Sequence, residues 1–298
     1  MQDFAIVLVF SLAFGGLYLP QVEGAEWIMD QWGEYVIVPM KNAPFPHKTR
    51  EQGHTYKDQF FPSDKHYQDN SVGILIPSGY QKGEKVDLLV HFHGWDNNVA
   101  HEIEQFDFRS QLFESRKNVI MVLPQGPRNA SDSTCGKMED PDGLKNLVNE
   151  VLDFLYKEKK TKTKSLGTLI LSGHSGGYRP VAFSLDKGGL EEHIKEVFLL
   201  DATYDFLTIY AGWAARSGGR LISICTSHLL GENFELLHDL QQKGINHSKL
   251  FLDDDATTEN LSQSRISFIY TRLGHLELVY ERKYFARFLF TSSLQEIK

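Results

Sequence analysis

Short apolar runs alternate with amphipathic stretches from residue 35 almost to the C-terminus. Strands are predicted at 35–39, 71–76, 87–92, 118–123, 167–171, 196–200, 221–225 and 266–270. Several of these ranges hold a continuous apolar run of three to five residues, as expected for strands covered on both faces rather than one. Between them, apolar residues recur at helical spacing over 102–115, 143–157, 176–185, 206–215, 232–242 and 276–289. Strand and helix take turns from the third strand onward. That order predicts right-handed crossovers and a mostly parallel eight-stranded sheet flanked by helices, an α/β fold. The stretch 47–68 is polar, carries proline and shows no period, so it reads as a long surface loop. No shift in composition marks a second domain, and residues 25–298 read as one.

Composition narrows the partners. The chain has 298 residues, 41% hydrophobic and 23% charged, with a formal net charge of −8. No basic stretch is available to meet phosphates, which argues against nucleic acid. Residues 4–19 are apolar and uncharged, and small residues follow at Val22 and Gly24. This predicts a signal peptide over 1–24, cleaved near Gly24, although Met1-Gln2-Asp3 lacks the usual basic residue. The stretch is short for a membrane span, so an exported protein without stable membrane insertion is expected. The two cysteines, Cys135 and Cys225, permit a disulfide without demanding one, and their spacing suggests no metal site.

The candidate chemistry centres on Gly173-His174-Ser175-Gly176-Gly177. G-x-S-x-G by itself is a weak pattern. Here a predicted strand precedes it and a predicted helix follows, which is the setting of a nucleophile elbow. Together with the strand–helix alternation, it resembles the α/β-hydrolase superfamily over most of residues 30–290. The nearest flavour is that of exported bacterial esterases and polyester depolymerases.

That resemblance implies a serine, acid and histidine in this chain order, with Ser175 as nucleophile and Gly173 and Gly177 as supporting glycines. His275, between the last predicted strand and the last helix, stands where such a fold presents its base. Asp201, ending strand 196–200, faces the same sheet edge and is the favoured acid. In most of the superfamily the acid follows the next strand, where Glu232 is the nearest carboxylate. Asp205 and the run 253–255 are further alternatives. The resemblance places oxyanion donors at the Gly176 and Trp95 amides, with Gly94 as an alternative to Trp95 and His93 orienting the loop. His91, His93 and Asp96 also approach a zinc motif, but the spacing fails by one residue.

The implied activity is hydrolysis of carboxylic esters through an acyl-enzyme, with no metal or organic cofactor. A peptidase, an acyltransferase or a non-catalytic binding protein are the alternatives. About 20 residues, 202–219, separate the sixth and seventh predicted strands, room for one helix and not for a large cap. An open site follows, suited to small or polymer-tethered esters. Arg179, in the first turn after the elbow, could meet an acidic group, but a solvated helix arginine is the favoured reading.

Overall fold

In the computed structural model, which describes residues 25–246 and 248–298, ten strands join in one sheet. They are β1 (Ile28–Asp30), β2 (Gly33–Pro39), β5 (Ser71–Pro77), β6 (Val86–Phe92), β7 (Ile120–Pro124), β8 (Leu166–His174), β9 (Ile194–Leu200), β10 (Arg220–Cys225), β11 (Ser248–Leu252) and β12 (Ile266–Tyr270). A separate hairpin is made by β3 (His54–Tyr56) and β4 (Gln59–Phe61). The predicted signal segment lies outside the described residues. Among those described, no helix is long and apolar enough to cross a membrane.

The order across the sheet is β1-β2-β5-β7-β6-β8-β9-β10-β12-β11. Pairing is antiparallel from β1 to β7 and parallel from β7 to β11. The helices are α1 (Ser63–His66), α2 (Val99–Gln105), α3 (Phe108–Glu114), α4 (Gly143–Lys157), α5 (Tyr178–Lys187), α6 (Leu207–Ser217), α7 (Leu230–Gln242), α8 (Thr258–Ser262), α9 (Glu277–Tyr280) and α10 (Tyr284–Phe290).

Side-chain alternation explains why the central strands read as unbroken apolar runs. Leu169 and Leu171 of β8 point into a core shared with Leu147 of α4, Val181 of α5 and Trp213 of α6. Ile170, between them, points to the other face and joins Leu112, Phe285 and Phe288 of α3 and α10. From Leu169 to His174 each residue of the strand is buried, on one side or the other.

All eight predicted strands are present, and two more extend the sheet at its edges, so it has ten strands rather than eight. The additions, β1 and β11, have one neighbour each and no buried residue, and neither carries more than three apolar residues in a row. Two predicted helices are broken. The 102–115 segment divides at Asp107, whose φ is 51°, and the 276–289 segment divides at Arg282 and Lys283, with φ of 54° and 50°. The stretch 47–68 is not a plain surface loop either. It holds the β3–β4 hairpin and α1, and it buries Phe61 and Tyr67 against Phe45 and Ala130 in a small core of its own. Both cysteines are free and buried.

This topology gathers polar side chains at one edge. The parallel strands β6 to β12 all end on that side, and the loops leaving them carry Trp95, Gln125, Ser175, Asp201, Thr226 and His275. Ligands of open parallel sheets bind at such carboxyl ends.

Candidate active site

The chain turns from β8 into α5 through Ser175, which sits at φ 52°, a left-handed conformation costly for a residue with a side chain. The turn is forced by close packing. A Cβ on Gly177 would stand 2.2 Å from the carbonyl oxygen of Phe92, so only glycine lets the elbow lie against β6. Gly173, two residues before the serine, is buried at the end of β8. The serine itself is half-buried at the tip of the turn.

His275 and Asp201 meet directly, Nδ1 to Oδ2 at 2.6 Å. The carboxylate is fully buried and also accepts from the Thr226 amide at 2.8 Å and the Thr226 hydroxyl at 3.1 Å. Burial alone would raise the Asp201 pKa. The hydrogen bonds from His275 and the Thr226 amide outweigh it and hold the carboxyl below its ordinary value. An ionised carboxylate only accepts, so Nδ1 of His275 carries a proton, and in the neutral ring Nε2 keeps its lone pair.

Behind His275 lies His174, the variable residue of the elbow. Its Nε2 donates to the His275 carbonyl at 3.0 Å, and the two rings stand 4.6 Å apart. Burial, then the neighbouring His275, drives the His174 pKa down to about 3, so the ring is neutral. Ser175 follows His174 directly in the chain. Among the described residues no hydrogen bond joins its hydroxyl to His275; it lies instead against the phenol of Tyr204. Catalytic hydrogen bonds are often long without substrate and close when it binds.

The loop after β6 closes the other side. The Gly126 amide donates to His93 Nε2 at 2.9 Å, which makes Nε2 the acceptor. His93 Nδ1–H then donates to the Gly94 carbonyl at 2.7 Å, and burial keeps the ring neutral by lowering its pKa. The two loops approach without clearance. A Cβ on Gly94 would lie 2.8 Å from the Ser175 Cβ, and one on Gly176 would lie 2.6 Å from the Trp95 indole. Trp95 is anchored by its indole N–H on the Ser133 hydroxyl at 2.6 Å and packs edge-on to Tyr56. The Asp96 amide is tied to the Ala130 carbonyl at 3.1 Å, whereas the Trp95 amide enters no loop hydrogen bond among the described residues.

The zinc-like spacing does not become a site. His91 is fully buried between the Ser172 hydroxyl (3.0 Å) and Glu102 (3.2 Å), while Asp96 turns out to the Ser131 hydroxyl. Among the described residues, the group whose ligand atoms are close enough for a metal ion is Asp201, His228 and His275, all within 4.8 Å. Glu232, in the first turn of α7, has no hydrogen bond to His275 among those residues. Arg179 is not the solvated arginine expected: it pairs with both oxygens of Glu139 at 3.0 Å.

Sequence reasoning missed Tyr204, Thr226 and His228. Tyr204 donates to or accepts from His228 Nε2 at 2.9 Å, and His228 Nδ1 lies 2.6 Å from the Thr226 hydroxyl. Thr226 directly follows β10, so its place at the sheet edge was open to inference.

No protein-family model and no curated protein matches the chain. Solved structures do. The feruloyl esterase module from Clostridium thermocellum, solved with sinapinate, superposes with a TM-score of 0.52 at 15% identity, covering 74% of this chain and 82% of that one. A ferulic acid esterase gives 0.50 at 16% identity, covering 74% and 91%. At these identities the likeness is one of architecture. The chain has the α/β-hydrolase fold.

Proposed function

We propose that this protein is a serine hydrolase of carboxylic esters. The observation that carries the reading is the 2.6 Å His275–Asp201 contact, set beside a serine held on a left-handed elbow. A triad is recognised by such roles, not by sequence position. In this reading His275 Nε2 takes the proton of Ser175 as the hydroxyl oxygen attacks the ester carbonyl. Asp201 stabilises the imidazolium. The amides of Gly176 and Trp95 receive the developing oxyanion, and His93 holds the Trp95 loop in place. Collapse expels the alcohol with the proton from His275, and water then releases the acid. The cycle so written uses no metal or organic cofactor.

Support for esters over other acyl groups comes from the esterases that share the architecture. The connection between β9 and β10 is one helix, α6, which leaves the cleft uncapped and suits small or polymer-tethered esters. We propose export as well, on the apolar segment 4–19 and the small residues at Val22 and Gly24.

A fluorophosphonate probe tests the nucleophile. The wild type is expected to label covalently, and Ser175→Ala to lose both labelling and several orders of magnitude in turnover. Near wild-type turnover in that variant would remove the proposal. A series of p-nitrophenyl esters then reads the pocket, and a clear preference for long acyl chains would contradict an open site. Anilide substrates in the same panel distinguish amide from ester cleavage.

A further inference from the structure

The Tyr204 hydroxyl is wired to Asp201 by a chain of hydrogen bonds whose directions follow from valence. Thr226 Oγ1 donates to Asp201 Oδ2 at 3.1 Å. That uses the only proton of the hydroxyl, so in the 2.6 Å contact with His228 Nδ1 the imidazole must donate. A neutral His228 protonated on Nδ1 has its lone pair on Nε2. The Tyr204 hydroxyl, 2.9 Å away, therefore donates there. Every proton of the chain points toward Asp201, and the Tyr204 oxygen keeps lone pairs able to accept beside Ser175. Burial keeps the phenol protonated by raising its pKa.

The chain runs beside the His275 arm. The His228 ring packs edge-on to His275 at 5.5 Å and stands 5.7 Å from the Tyr204 ring. The same buried carboxylate thus supports two groups at this sheet edge: His275, whose Nε2 accepts when the ring is neutral, and Tyr204, which borders Ser175 with an accepting phenol oxygen.

We propose that Tyr204 is a catalytic residue of deacylation, holding the water that hydrolyses the acyl-enzyme. This rests on the serine-hydrolase reading. The water brings two protons and needs two acceptors. One proton passes to His275 Nε2 as the water oxygen bonds to the acyl carbon. The other stays on that oxygen and is held by Tyr204, which neither gains nor loses a proton. The intermediate then breaks its bond from carbon to Ser175 Oγ, and His275 returns its proton to Oγ. The acid leaves with the water oxygen and the retained proton. Acylation uses no water, so Tyr204 matters less there. His228 and Thr226 are positioning residues that fix which way the phenol proton points.

The test is pre-steady-state hydrolysis of p-nitrophenyl acetate with intact-mass detection of the acetyl-enzyme. Tyr204→Phe is expected to slow decay of the acetyl-enzyme by about 10-fold or more, with a smaller change in the acylation burst. The Ser175 acetyl adduct should accumulate, and KM should fall together with kcat. His228→Ala, which leaves the phenol unwired, should shift the same balance in the same direction but less. The inference is overturned if both variants, shown folded by circular dichroism, hydrolyse acetyl-enzyme at the wild-type rate. It is equally overturned if acylation and deacylation fall equally. These outcomes are separate from failure of the parent reading, which would appear as a wild type that does not label and a Ser175→Ala variant that still turns over.

Discussion

Asp201 and Glu232 show how far a single residue's role can be read before folding is known. Both are carboxylates near strand ends, and the commoner pattern in the superfamily favours the later one. Burial and hydrogen bonding separate them. Asp201 is enclosed, accepts from His275 and Thr226, and has its pKa held down by those bonds. Asp201→Asn should therefore lose roughly 100- to 10,000-fold in turnover, because the amide favours the wrong imidazole tautomer. Glu232→Gln should stay close to wild type in the same assay. A large loss in Glu232→Gln with little in Asp201→Asn would reverse the assignment. Ser175 and His275 stand out in the sequence as candidates because each is flagged by its immediate neighbours in the chain. Tyr204 and His228 do not. Tyrosine and histidine are ordinary surface residues, and their meaning arises only where the ends of β8, β9 and β10 converge.

Among the elements, legibility followed burial on both faces. Strands β6, β8 and β9 read clearly because neither face meets water, and α4 because Leu144, Leu147, Val148, Val151, Leu152 and Leu155 form one buried stripe. The edges β1 and β11 escaped notice for the opposite reason. The breaks at Asp107 and at Arg282–Lys283 lacked any glycine or proline to mark them. The elbow shows how one element constrains another. Gly177→Ala would press a methyl group against the Phe92 carbonyl, a contact with backbone that cannot rotate away. Overpacking of this kind costs about 1–3 kcal/mol, and the shift would also part β6 from β8 beneath Ser175. Both the denaturant midpoint and turnover should fall. Unchanged values for both would mean that the loops have slack that the structure does not show.

At the scale of the whole molecule, several histidines are buried neutral close to the site. The His174 pKa falls from 6.5 to about 3 on folding, chiefly through burial, and His91 is lowered well below its ordinary value for the same reason. The unfolded chain then binds more protons than the folded one across that window. Stability present at neutral pH is lost as pH drops below about 6.5 and continues to fall toward pH 3. Denaturant midpoints measured at pH 7 and pH 5 should show a drop in the wild type that is smaller in His174→Gln. An equal drop in the two would assign the acid sensitivity elsewhere.

The central position of β8 in the ten-stranded sheet has a bearing on how the molecule fails. Strands β1 and β11 hold the rim through one neighbour each, while β6, β8 and β9 lie deep inside. Amide protons should exchange with solvent first along the rim and last beneath the serine. Warming would fray the borders while the cleft stays assembled, so catalysis would persist through early loosening and vanish only when the interior gives way at once.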